Sequence, residues 1–176
     1  STFSFVESCG LLYAGKLLKR SFGAPANPPT VEQTGLSAEQ RRTLRPRLPN
    51  VGGPDLEARI TSAATALGAM GLTTDYARLI LMAGHGSTSA NNPHAAGLDC
   101  GACGGQTGEV NARMLVQLLN EPAVRTGLHA RGLRVPATTQ FIAGLHNTTT
   151  DEMQLFDTDL LPPSHGADLA ALKGWL

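Results

Sequence analysis

The sequence predicts an α/β domain built on a mainly parallel sheet flanked by helices, and three observations predict it. The run Ala77 to Ala83 is short, largely apolar and the length of one buried strand. Helical periodicity precedes that run and resumes after a Gly-rich segment, and a second strand-like run follows from Thr139 to Leu145. Strands separated by helical connections pair in parallel through a right-handed crossover, so His85 and His146, which follow the two runs, belong at the same carboxyl edge of one sheet.

The elements follow in order. Phe5, Val6, Cys9, Leu12, Tyr13 and Leu17 recur at helical spacing across Phe3 to Arg20, and Lys16, Lys19 and Arg20 suit the C-terminal end of a helix dipole. The segment Gly23 to Pro54 carries six of the chain's eleven prolines and little apolar periodicity, which predicts a Pro-rich irregular excursion with one short helix after Ser37. Asp55 is placed to cap a helix reaching about Met70, with Leu56, Ile60, Ala63, Ala64 and Leu67 on one face and Gly71 as its stop. After the first strand and its loop, Val110 to Leu119 reads as a helix, Pro122 opens another turn or short helix, and the second strand runs from Thr139 to Leu145.

A chain of 176 residues, 41% hydrophobic, is long enough to bury the core of one domain, and the expectation is a single α/β domain over residues 1–176. Fourteen basic residues balance fourteen acidic ones, which leaves no electrostatic footprint for nucleic acid; Arg41, Arg42, Arg45 and Arg47 read as a solvated face. Three cysteines, two of them in a Cys-x-x-Cys, argue against a secreted disulfide framework and for a reducing compartment. No run approaches the ~20 apolar residues that cross a bilayer, and no signal-peptide pattern opens the chain, so no direct membrane span is expected.

The chemistry concentrates between Gly84 and Gly105, which hold two histidines, two cysteines and six of twenty glycines. Imidazole and thiolate are the donors Zn²⁺ prefers, and glycines let distant donors converge. Cys100 and Cys103 form the Cys-x-x-Cys, a spacing shared by zinc knuckles and thiol redox centres. On these residues alone four further readings stand: a Gly-rich surface turn with incidental cysteines, His85 as a satisfied core histidine, a structural zinc closed by His85, His94, Cys100 and Cys103, and a dithiol redox pair. The redox reading ranks lowest, since such a pair normally opens a helix directly, whereas Cys103 is followed by Gly104 and Gly105. The polar strip His146 to Asp151 is open to two readings, substrate orientation beside a metal or local satisfaction of backbone groups. His129 and His165 stand in polar surroundings and read as surface residues.

The string GHGSTSANNPHAAGLDCGACGG from Gly84, followed by NARMLVQLLN from Asn111 and HNTTTDE from His146, resembles the DabA family, as does FSFVES from Phe3. These are large proteins that act with a membrane partner, DabB, to accumulate inorganic carbon. The resemblance implies a zinc site like that of β-class carbonic anhydrases, built from a Cys-x-Asp segment, a histidine and a second cysteine. By motif position His85 matches the histidine and Cys100 the second cysteine, while His94, Asp99 and Cys103 are near neighbours. The Cys-x-Asp segment is absent from these residues, since Cys9 is followed by Gly10 and Leu11. The chain is therefore expected to be part of a larger protein, with its remaining zinc ligands upstream, and to be inactive and weakly zinc-binding by itself. The intact protein is expected to hydrate CO₂ to bicarbonate in an energy-coupled uptake system, held peripherally on the cytoplasmic side of the bacterial inner membrane by a DabB-like subunit. A non-catalytic zinc-binding structural or interaction module is the alternative.

Overall fold

The computed structural model of the chain describes Gly35, Ser37 and residues 55–88 and 94–176. The expected helix over Phe3 to Arg20, the excursion over Gly23 to Pro54 and the Arg41–Arg47 cluster lie outside the described residues. Every element below belongs to the compact unit Leu44–Leu176.

Helix α1 spans Leu56–Ala69, and Asp55 caps it by accepting a 2.8 Å hydrogen bond from the Ala58 amide. Its spacing turns Ile60, Ala63 and Leu67 to the core, and Gly71 ends it in the left-handed region at φ 69°. Strand β1, Leu79–Gly86, runs past the expected end at Ala83 and contains His85. A single turn α2, Ala95–Leu98, and a 3₁₀ turn, Gly101–Cys103, lead to α3, Glu109–Asn120. Helix α4, Pro122–Ala130, starts on the proline whose missing N–H costs a first turn nothing. Strands β2, Gln140–Asn147, and β3, Glu152–Phe156, follow, then short 3₁₀ turns and α5, Gly166–Trp175.

The sheet order is β1-β2-β3. Strands β1 and β2 are parallel over their full lengths, from Leu79 opposite Gln140 to Gly86 opposite Asn147. The sheet is mixed rather than mainly parallel, because β3 is antiparallel to β2. The cause is local: Asp151, at φ 61°, returns the chain within a tight turn closed by a 2.8 Å bond from its amide to the Asn147 carbonyl. A connection that short admits only antiparallel pairing.

The core lies between the sheet and its helices. Ala63 and Leu67 from α1, Met82 from β1, Leu119 from α3, Val124 and Leu128 from α4, and Phe141 from β2 form one buried cluster. At the amino edge of the sheet part-buried polar groups complete it. Asn120 bonds both the N–H and the carbonyl of Phe141, which lies beyond the last residue pair with β3. The Arg125 guanidinium donates to the carbonyls of Leu119 and Thr139 and to the Asn120 side chain. His165 corrects the surface reading. It is 3% exposed, its Nε2 lies 2.8 Å from the Thr138 carbonyl and its Nδ1 3.1 Å from the Ser164 hydroxyl. Both ring nitrogens thus find partners that make burial affordable. His129 is exposed, as expected.

Candidate metal centre

The site begins with the register. His85 stands opposite His146 on the neighbouring parallel strand, so both lie at the carboxyl edge, as the strand order predicted, and on the same face. Strand alternation puts Met82, Gly84 and Gly86 on the other face, which receives α3. There the backbones nearly touch: a Cβ on Gly84 would sit 2.4 Å from the Gly108 carbonyl oxygen, and one on Gly108 would sit 2.9 Å from the Gly84 Cα. The Gly108 amide donates to the His85 carbonyl at 2.8 Å. Only glycine at both positions allows the start of α3 to seat against the strand that carries His85.

The loop returns to His85 from its other end as well. Asp99 Oδ1 accepts from the Ser87 amide at 2.9 Å and from its hydroxyl at 3.1 Å. Cys100 is buried, 9% exposed, and pairs with Gln106 through its amide and the Gln106 carbonyl at 3.0 Å. One side of the Cys100 turn is thus tied to Ser87 and the other, through Gly108, to His85. Asp99 serves as a loop anchor.

Inside the turn the Cys100 carbonyl accepts from the Cys103 amide at 3.0 Å and the Gly105 amide at 3.1 Å, with Gly104 and Gly105 at φ 67° and 78°. Both cysteines are reduced. The hydrogen bond shared with Cys100 pushes the Cys103 thiol above its usual range, burial and the charge of Cys100 act in the same direction, and Asn111 opposes them. Asn111, in the first turn of α3, donates to the Cys103 sulfur at 3.1 Å. His94 is exposed. Among the described residues no group of three or more His, Cys, Asp and Glu side chains converges.

The His146 to Asp151 strip is knitted largely to its own surroundings. Thr148 donates to the Gly86 carbonyl from its amide at 2.8 Å and its hydroxyl at 3.0 Å. Asn147 donates to the Thr88 hydroxyl at 2.6 Å, and the Thr149 hydroxyl accepts from the Thr88 amide at 3.2 Å. Thr150 donates to Glu152 at 2.9 Å, and His146 Nε2 lies 2.7 Å from Asp151. These bonds favour the local, backbone-satisfying reading.

A second polar cluster had no counterpart in the sequence reading. Arg113 is 5% exposed, holds Asp157 in two bonds of 2.9 and 3.0 Å, bonds Glu109 at 3.0 Å and covers the Phe156 ring. Burial alone would lower its guanidinium, but Asp157 and then Glu109 more than offset that and hold it above its usual range. The Glu109–Arg113 spacing was legible as a helical i,i+4 pair, whereas Asp157 lies 44 residues further on. A recess of about 1040 Å³ opens beside this cluster, lined also by Met114 and Leu160, and neither His85 nor Cys100 borders it.

A family profile described as "Probable inorganic carbon transporter subunit DabA" matches residues 1–176. The chain belongs to the DabA family. It is 51% identical over 185 residues to a DabA of Acidithiobacillus ferrooxidans, covering 100% of this chain and 22% of that protein. It is 50% identical over 179 residues to one of Roseiflexus castenholzii, covering 98% of this chain and 21% of the relative. A third, from Methylovorus glucosotrophus, is 54% identical over 162 residues, 92% of this chain and 19% of its own length. The DabA chain thus spans about a fifth of the curated relatives it matches, each called a probable inorganic carbon transporter subunit. No solved structure matches it. Among its described residues no helix is long and apolar enough to cross a membrane.

Proposed function

We propose that this chain carries one half of a zinc centre, His85 and Cys100, within a DabA protein that hydrates CO₂ to bicarbonate during energy-coupled uptake. One observation carries the reading: the Cys100 turn is tied on one side to Ser87 and on the other to His85 itself. An imidazole on a strand end and a thiolate on a turn anchored beside it are donors of the kind zinc takes. Zinc held there would supply Lewis-acid activation of water for addition to CO₂.

The residues of this chain have distinct tasks in that reading. His85 and Cys100 donate to the metal, Asp99 fixes the loop, and the start of α3 favours an anionic sulfur through its unpaired amides. The other ligands, a Cys-x-Asp pair, come from outside these 176 residues, in a fold related to β-class carbonic anhydrases. A DabB-like membrane subunit is the partner, and the protein sits peripherally on the cytoplasmic face of the bacterial inner membrane.

The test uses the intact DabA protein with this chain in place. His85→Ala and Cys100→Ala are expected to lose zinc, measured by elemental analysis, and CO₂-dependent growth. Cys103→Ala is expected to keep both. Equal loss at Cys103 would replace the catalytic half-site with a closed structural knuckle. Robust CO₂ hydration by the 176 residues alone, followed by stopped flow, would overturn the division of the site.

A further inference from the structure

We propose that Cys100 and Cys103 are a modification site, a dithiol that a peroxide converts to a disulfide, withdrawing Cys100 from the metal. The withdrawal rests on the zinc reading above; the disulfide does not. The turn brings the pair together. The Cys103 amide bonds the Cys100 carbonyl at 3.0 Å, the i to i+3 closure of a tight turn. Such a turn holds its end Cα atoms less than about 7 Å apart, and disulfides span about 4.4 to 6.8 Å.

Three further observations point the same way. Both sulfurs are reduced, with neither cysteine held in a disulfide. The bridge between Cys100 and Gln106 and the 3.1 Å bond from the Gly105 amide to the Cys100 carbonyl close the ring from outside, so joining the sulfurs need not reorganise the loop ends. Cys103 is only partly buried, within reach of solvent, and the Asn111 amide orients its sulfur. A sulfur bonded to another sulfur carries no negative charge and is no longer a thiolate donor.

The chemistry balances with a peroxide as oxidant. The Cys100 thiolate attacks one peroxide oxygen, the O–O bond breaks, and Cys100 becomes a sulfenic acid as hydroxide leaves. That hydroxide takes the Cys103 proton. The Cys103 sulfur then attacks the Cys100 sulfur, the S–O bond breaks, and the second hydroxide is protonated by solvent, replacing the proton Cys100 released on ionising. Two thiols lose two electrons and the peroxide becomes two waters.

The experiment titrates the intact zinc-loaded protein with hydrogen peroxide, alkylates remaining thiols, maps peptides by mass and follows zinc release with a chelating dye. The expected result is an unalkylated peptide containing Cys100 and Cys103, lighter by about two mass units, formed in step with zinc release, both reversed by a thiol reductant. Cys103→Ser is expected to form no such peptide and to lose its zinc without recovery on reduction, because a Cys100 sulfenic acid with no resolving thiol is oxidised on to sulfinic acid. If both cysteines stay alkylatable while zinc leaves, or Cys100 pairs with Cys9 instead, the proposal falls and the zinc reading stands. If the disulfide forms in a protein that never carried zinc, the zinc reading falls and the dithiol stands.

Discussion

The two edges of the sheet are held by different means. At the amino edge, side chains reach back into the frame: Arg125 crosses to the Thr139 carbonyl, Asn120 brackets Phe141, and the Thr139 hydroxyl donates to the Ala77 carbonyl at 3.0 Å. At the carboxyl edge, the ties run from short turns and glycine backbones to Gly86, Ser87 and Thr88, and His85 stays exposed among them. One edge spends its polar groups on holding strands in register; the other spends them on positioning a loop. Damage to the first should unfold the domain, while damage to the second should leave it folded with a misplaced site.

The largest effect is expected at the amino edge. Phe141 is 1% exposed, and Phe141→Ala is expected to cost about 3 to 5 kcal/mol by removing contacts and leaving a cavity. Arg125→Ala should follow at about 2 kcal/mol, because three acceptors lose a donor in a partly buried setting. Urea unfolding followed by circular dichroism measures both. A midpoint unchanged in either variant would break the contrast between the edges.

Gly84→Ala tests where the edges meet, since α3 belongs to the core through Leu119 and to the site through Gly108. The new Cβ collides with backbone, which cannot rotate away, so a loss of about 1 to 3 kcal/mol is expected. Zinc retention in the intact protein should fall with it, because the helix start must leave His85. Full stability with full zinc content would show that the close approach is incidental.

Asp99→Ala is expected to separate the two properties. It removes both bonds to Ser87, so zinc affinity should fall about 10- to 100-fold, as for groups that orient metal ligands. The unfolding midpoint should hardly move, since no core residue loses a contact. A large drop in stability with unchanged affinity would reverse the roles assigned to the edges.

The sequence disclosed this division unevenly. The Asp55 cap, the stop at Gly71 and the proline opening α4 are local signals, and the helices lie where those signals put them. The shared edge of His85 and His146 came from element order alone. Strand β3 escaped notice because Glu-Met-Gln-Leu-Phe is short and follows a polar turn, and α5 because none of its residues is buried. His165 and Arg113 were not legible, because their partners Thr138 and Asp157 come from 27 and 44 residues away. The metal pair was readable only through resemblance, since spacing alone left open a knuckle, a bare turn and, ranked lowest, a redox pair.

The smallest effect is expected in the polar strip, where it decides between the strip's two readings. The Thr149 hydroxyl accepts one bond from the Thr88 amide at 3.2 Å, and the residue is exposed. Thr149→Val keeps the shape and removes that acceptor, and water can replace it, so a change within about 0.5 kcal/mol is expected. If the hydroxyl only satisfies backbone, zinc content and carbon uptake should match the parent. If it orients bicarbonate, uptake should fall several-fold with stability and zinc unchanged, and a rising half-saturation concentration for inorganic carbon would reveal it. That outcome would make the carboxyl edge a binding surface in its own right, with the strip facing substrate instead of merely pinning the loop.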